Sequence, residues 1–173
     1  LVLVEVESTL DEARRRAAAS DEPCWIVALK QTQGRGRRGR EWQAPAGNLS
    51  LTGYAFHEGP IAALPQLSFV AALAAHDCAA NFCANASDAA KLSLKWPNDL
   101  LYDGRKLAGL LLESGKNLGA RDWVSISIGM NLVAAPQQGA IGQAAASLSE
   151  AGATPSPKDA AQVFAACFVS RLN

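Results

Sequence analysis

The chain lacks a net charge: its 173 residues hold 16 Lys and Arg against 16 Asp and Glu. A neutral protein exerts no overall pull on nucleic acid or an anionic membrane, so a cationic site has to be local. No apolar run reaches the roughly 18 residues of a membrane span, and the acidic start LVLVEVEST lacks the basic region that opens a signal peptide. A cytoplasmic location is expected, with neither nucleic acid nor a membrane as partner. The four cysteines, Cys24, Cys78, Cys83 and Cys167, form no Cys-x-x-Cys pair and lack the histidines that would complete a zinc site. They read as buried, reduced thiols. Internal repeats and low-complexity tracts are absent too.

Apolar residues are plentiful, at 49%, and 173 residues are long enough to bury one substantial core and too short for two ordinary domains. Residues 1–173 are therefore read as one domain. LVLVEVE alternates as a half-buried strand does, and Ser8-Thr9-Leu10-Asp11 opens a helix that runs to about Ala19. Residues 24–29 form a strand that leads straight into QTQGRGRRGR. Residues 48–56 alternate as a strand, 64–83 read as a buried helix, and 91–96 as extended. Residues 99–102 and 106–113 flank Asp103-Gly104, a dipeptide that favours a tight hairpin turn, and 124–133 supply another strand. Residues 134–156, rich in Ala, Gly, Ser and Gln, read as a mobile loop, and Ser156-Pro157 with Asp159 opens a last helix. Without a regular alternation of strand and helix, this order predicts an α+β fold: a mixed, largely antiparallel sheet with helices packed on it.

Two segments carry chemistry. Gly34-Arg35-Gly36-Arg37-Arg38-Gly39 spells G-x-G-x-x-G, but a dinucleotide fingerprint requires a helix next, and EWQAPAG does not make one. What remains is a flexible backbone with Arg35, Arg37, Arg38 and Arg40 concentrated on it, suited to a carboxylate or a phosphate. The same six residues also read as an exposed arginine-rich loop, and the residues alone leave both open. The second segment is KWPND followed by the hairpin and Arg105-Lys106-Leu107-Ala108-Gly109. A lysine on a strand just past a turn is held by regular backbone, which suits an ammonium that must face developing negative charge. Taken alone, Lys106 reads more readily as a solvated hairpin lysine, Asp99 as a cross-turn partner, and Trp96 as core.

QTQGRGRRGREW, GNLSL, KWPNDLLYDGRKLAGLLLES and SIGMNL, in this order and at these separations, resemble the catalytic domain of biotin protein ligases over roughly residues 5–133. The resemblance implies a fold like that of class II aminoacyl-tRNA synthetases, biotin and ATP as substrates with Mg2+, and a biotin carboxyl carrier protein domain as partner. It also implies a homodimer, for which no interface residue is identified. Ser8, Thr9, Gln31, Gly34, Arg35, Gly36, Arg37, Lys106 and Gly109 fall on biotin-site positions, and Arg37, Arg38, Trp42, Lys95, Asn98, Lys106 and Asn131 on nucleotide positions. Trp42 and Asn131 would meet the adenine, while Asp99 would stand near the phosphates and their magnesium. The implied chemistry is attack of the biotin carboxylate on the α-phosphorus of MgATP, with Lys106, Arg35 and Arg37 as the catalytic cations and the Gly/Arg loop ordering over the product. A carrier lysine then displaces AMP. No side-chain nucleophile is needed, and His57 and His76 are read as structural or surface residues.

The chain departs from the family pattern at Leu10, where a polar residue, commonly asparagine, follows Ser-Thr. Both ends are expected to be cut, with no winged helix before residue 1 and no C-terminal β-barrel. Two rival activities are a lipoate or octanoate protein ligase, which also adenylates an acyl carboxylate, and a biotin-binding module without turnover. A nucleic-acid binder ranks below both, since no aromatics are interleaved with the arginines.

Overall fold

The structure is a computed structural model that describes residues 1–59, 61–136 and 144–172. Strand β1 (Val2–Leu3) leads to helix α1 (Thr9–Ala19), whose first turn is capped by Ser8 Oγ accepting the Asp11 N–H at 3.4 Å. Strand β2 (Cys24–Ala28), the Gly/Arg loop and strand β3 (Leu49–His57) follow. A 3-10 stretch, Ile61–Gln66, with Pro65 inside it, precedes helix α2 (Leu67–Phe82), and a short helix α3 (Ala86–Ala89) precedes strand β4 (Leu92–Lys95). Strands β5 (Asp99–Tyr102), β6 (Arg105–Lys116) and β7 (Asp122–Met130) and helix α4 (Pro157–Leu172) complete the chain.

The seven strands form one sheet in the order β1-β2-β3-β7-β6-β5-β4. Only the β1–β2 pair is parallel, so the expected mixed, largely antiparallel sheet is what forms. Period-two alternation divides it into two faces. Leu49 and Leu51 of β3 and Ile126, Ile128 and Met130 of β7 enter the main core under α2 and α4, whereas Tyr54 and Trp123 pack with Ala13 and Ala17 of α1. Ala71, Ala74, Ala75 and Ala79 of α2 are fully buried, small enough for the helix to lie close to both α4 and the sheet. The cysteines are free, and burial pushes the Cys78 thiol up to about 12.

Four elements differ from the sequence reading. The alternation of LVLVEVE yields only a two-residue strand and a separate bridge from Val6 to Gln31, because its outward acidic residues leave little to bury. The helix expected from residue 64 starts at Leu67, after the 3-10 stretch. Helix α3 was not foreseen; Asn85 caps it by accepting the Asp88 N–H at 2.9 Å. Finally, part of the expected mobile loop is fixed: residues 144–151 bury Ala146, Ser147, Leu148 and Ala151 and end in a 3-10 turn, Leu148–Ala151, closed by a Ser147/Glu150 capping box. Residues 137–143 of that loop lie outside the described residues. Among the described residues, no helix is long and apolar enough to cross a membrane.

Candidate active site

Asp103 and Gly104 both take left-handed angles (φ 50° and 71°), which closes the β5–β6 hairpin as the Asp-Gly dipeptide predicts. Beyond the turn, pairing runs Leu101↔Lys106 and then Leu100↔Ala108, so one extra residue, Leu107, is accommodated in β6. The bulge shifts the alternation. Leu107, Ala108 and Leu110 all enter the main core, and Lys106 comes onto the same face as Gly109, whose added Cβ would lie 3.3 Å from Lys106 Nζ. The backbone groups freed there are taken up elsewhere. Lys106 N–H donates to Ala144 O and Lys106 O accepts from Ala146 N–H, each at 2.9 Å, and Asn131 N–H donates to Leu107 O.

Lys106 is not the solvated hairpin lysine that its local sequence allows. Its side chain is 19% exposed, with Nζ 2.7 Å from Asp99 Oδ1 and 5.6 Å from the centre of the Trp42 ring. The approach to Asp99 is off the axis of a hydrogen bond, and Asp99 Oδ1 is buried without any other partner, so the contact is one of charge. Trp42 lies across β6 and β7. A Cβ at Gly129 would fall 2.3 Å from the indole, so only glycine admits the ring there. The indole Nε1 is buried with no hydrogen-bond partner.

The Gly/Arg segment closes on itself rather than opening a helix, in keeping with the rejection of a dinucleotide fingerprint. Gly36 N–H donates to Arg40 O at 2.7 Å and Trp42 N–H to Gly34 O at 2.8 Å, with Arg38 and Gly39 in left-handed conformation at the tip. Gly34 is required by close approach: a Cβ there would sit 2.3 Å from Trp42 O. Arg35 pairs with Asp11 at the start of α1, and Arg37 Nη1 donates to Asn98 Oδ1 at 3.1 Å. Asn98 in turn ties KWPND to β6, its Nδ2 donating to Leu110 O at 2.8 Å.

These elements enclose one cavity. Of the residues singled out in the sequence, Ser8, Thr9, Gln31, Arg35, Gly36, Arg37, Trp42, Asn98, Asp99, Lys106 and Gly109 line it. Gly34 is buried just behind the wall. Arg38 and Lys95 are exposed and outside the lining. Asn131 is also outside it, 1% exposed, with Nδ2 donating to Ala146 O at 3.0 Å and Oδ1 accepting from Asn48 at 3.4 Å. Leu10, the departure from the family pattern, is buried and lines the cavity beside Ser8 and Thr9. Sequence reasoning missed Ser50, Ser127 and Gly129, which line the floor. Their signal was available: they are small residues at every second position of otherwise apolar strands, where a core strand would carry large ones.

The lining is chemically divided. Thr9, Gln31 and Ser127, joined by hydrogen bonds through Thr52, form an uncharged group beside Ser8, whereas Lys106 beside Asp99 and Arg37 on Asn98 are carried by KWPND and β6; Arg35, paired with Asp11, and Arg40 and Glu41 complete the charged lining. Such a lining suits a molecule that carries both an uncharged hydrogen-bonding group and an anionic one. Residues 2–131 match the model of the Biotin/lipoate A/B protein ligase family, and the chain belongs to that family. It is 44% identical over 154 residues to the biotin–[acetyl-CoA-carboxylase] ligase of Paracoccus denitrificans, an alignment that covers 89% of this chain and 60% of that protein. The chain thus spans about six tenths of that relative's length. Among solved structures it is similar to the biotin protein ligase of Leishmania major in complex with biotin, with a TM-score of 0.82 and 34% identity over 96% of this chain and 71% of that one. It is also similar to the biotin protein ligase of Aquifex aeolicus in complex with biotin and ATP, with a TM-score of 0.78 and 26% identity over 99% of this chain and 69% of that one.

Proposed function

We propose that this chain is the catalytic part of an ATP-dependent biotin protein ligase, which converts biotin to biotinyl-5′-AMP and transfers the biotinyl group to a lysine of a biotin carboxyl carrier domain. The observation that carries the reading is the composition of the cavity wall. Biotin has a neutral ureido ring at one end and a carboxylate at the other, and the lining supplies uncharged hydrogen-bonding groups (Thr9, Gln31, Ser127) for the first and cations (Lys106, Arg35, Arg37) for the second. The dithiolane ring of lipoate makes no comparable hydrogen bonds, so burying it would leave the Gln31 NH2 group without an acceptor, a ground for rejection.

In the first step a carboxylate oxygen of biotin attacks the α-phosphorus of ATP and pyrophosphate leaves. Both reactants are anions, so cations have to bring them together. Lys106, Arg35 and Arg37 neutralise the charge gathered at the reacting centre, and the bulge in β6 fixes the lysine without a loop's freedom. Trp42 and Asn98 supply the nucleotide side of the cavity. Asp99 would hold the magnesium that accompanies ATP, which would offset phosphate charge; a single carboxylate together with phosphate oxygens is an ordinary magnesium set, and the buried, hydrogen-bond-free Oδ1 of Asp99 suits it. In the second step the carrier's lysine amine attacks the acyl carbon and AMP leaves with the bonding pair. The Gly/Arg loop shields the mixed anhydride from water until then.

The test is transfer itself. The chain is incubated with biotin, MgATP and the biotin carboxyl carrier domain of an acetyl-CoA carboxylase, and the carrier is weighed by mass spectrometry. Gain of one biotinyl group on a lysine supports the reading; an unmodified carrier contradicts it.

A further inference from the structure

Behind the neutral end of the cavity, three hydroxyl groups stand in line. Thr52 is fully buried on β3, opposite Ser127 in the β3–β7 register, and beneath Thr9 at the start of α1. Thr52 Oγ1 lies 2.8 Å from Ser127 Oγ and 2.9 Å from Thr9 Oγ1, and Thr9 Oγ1 lies 3.1 Å from Gln31 Oε1. The Thr9 backbone N–H also meets Gln31 Oε1, at 2.9 Å. A backbone N–H can only donate, so the carboxamide oxygen of Gln31, and not its nitrogen, faces Thr9.

The direction of every bond then follows from counting hydrogens, since each hydroxyl has one to give. Thr9 commits its hydrogen to Gln31 Oε1. Thr52 must therefore donate to Thr9, and Ser127 must donate to Thr52. Two consequences reach the cavity. Gln31, with its oxygen occupied twice, has its NH2 group left for a ligand and so asks for an acceptor. Ser127, with its hydrogen committed, offers a ligand only lone pairs and so asks for a donor.

We infer that Thr52 is a positioning residue and Ser127 a specificity-determining one: the one-way chain Ser127–Thr52–Thr9–Gln31 selects a head group that carries an N–H beside a C=O, as a cyclic urea does. Thr52 does not line the cavity and acts only through its neighbours. The inference rests on the proposed biotin ligase activity and adds to it the means by which the ureido ring is told from an apolar ring of similar size.

The experiment measures adenylate formation by the whole chain at varied biotin and varied ATP for the wild type, Thr52→Val, Thr52→Ser, Ser127→Ala and the double variant Thr52→Val/Ser127→Ala. Valine keeps the shape of threonine and removes the hydroxyl. Thr52→Val and Ser127→Ala are expected to raise KM for biotin about tenfold, with KM for ATP and kcat within about twofold of wild type, because the nucleotide end is untouched. Thr52→Ser, which restores the hydroxyl, is expected to match wild type. The double variant is expected to be no worse than the weaker single one, since both break one chain. An unchanged KM for biotin in Thr52→Val and Ser127→Ala would overturn the inference. So would an equal rise in both KM values that Thr52→Ser fails to rescue. If the valine variant fails to fold, as judged by circular dichroism, Thr52→Ser and Ser127→Ala decide the matter between them. A wild-type chain that makes no biotinyl adenylate overturns the proposed activity and this inference together, whereas an active wild type with unaltered variants overturns this inference alone.

Discussion

Lys106 and Asp99 face each other across the bulged β5–β6 hairpin, Nζ to Oδ1 at 2.7 Å, with side chains only 19% and 15% exposed. Each is the charge that the other needs in the absence of substrate. The pair holds both side chains in place on the wall of the cavity that they line.

The pair can be separated from catalysis by a double-mutant cycle. Lys106→Ala is expected to lower adenylate formation by at least about 100-fold and to destabilise the fold by about 1–3 kcal/mol, since it leaves a half-buried carboxylate unpaired. Adding Asp99→Asn is expected to recover most of that stability and none of the activity. Urea unfolding and single-turnover adenylation measure the two quantities; stability that falls further in the double variant would contradict the pairing.

Gly129→Ala tests the seat of Trp42. The new methyl group would meet the indole at 2.3 Å, whereas one at Gly109 would meet nothing nearer than 3.3 Å. Gly129→Ala is expected to cost about 1–3 kcal/mol, shift tryptophan emission to the red and raise KM for ATP. Gly109→Ala is expected to be the milder change on all three. The reverse order of severity would show that Trp42 sits elsewhere.

The segment that follows the undescribed residues carries its own pH signature. The hydrogen bond from Arg105 Nη2 to Glu150, at 2.6 Å, holds the Glu150 carboxyl below its ordinary value of 4.5 against the opposing push of burial, and the Ser147 N–H adds to the effect. A depressed folded-state value contributes stability that is fully present above the unfolded value and is lost as pH falls through the folded one. Wild type should therefore lose stability as pH drops below about 4.5. Glu150→Gln is expected to be less stable at neutral pH by at most about 1 kcal/mol, the pair being partly solvated, and to show a shallower acid limb in urea titrations. Parallel acid limbs would contradict the assignment.

Much of this molecule is written locally. The Asp-Gly turn, the helix start at Ser8-Thr9 and the alternation of β3 obey rules of short range, and each formed where the sequence placed it, with Ser8 as the cap. The bulge did not announce itself, because Arg105-Lys106-Leu107-Ala108-Gly109 satisfies a regular strand equally well; only the competition of Leu107 and Ala108 for the same core forces it. Residues 144–151 look like a loop by composition, yet they are fixed by backbone groups of Lys106 and Leu132 that the sequence does not reveal as vacant. Thr52 and Ser127 were invisible for a related reason: a threonine and a serine on separate strands acquire meaning only once register sets them opposite each other.

The most direct measurement is mass spectrometry of the adenylates formed when the chain is given MgATP with biotin and, in a separate tube, with lipoate. Biotinyl-5′-AMP from the first tube and no adenylate from the second is the result expected of a cavity whose wall combines uncharged hydrogen-bonding groups with cations. Lipoyl-AMP, or biotin bound without any adenylate, would contradict it.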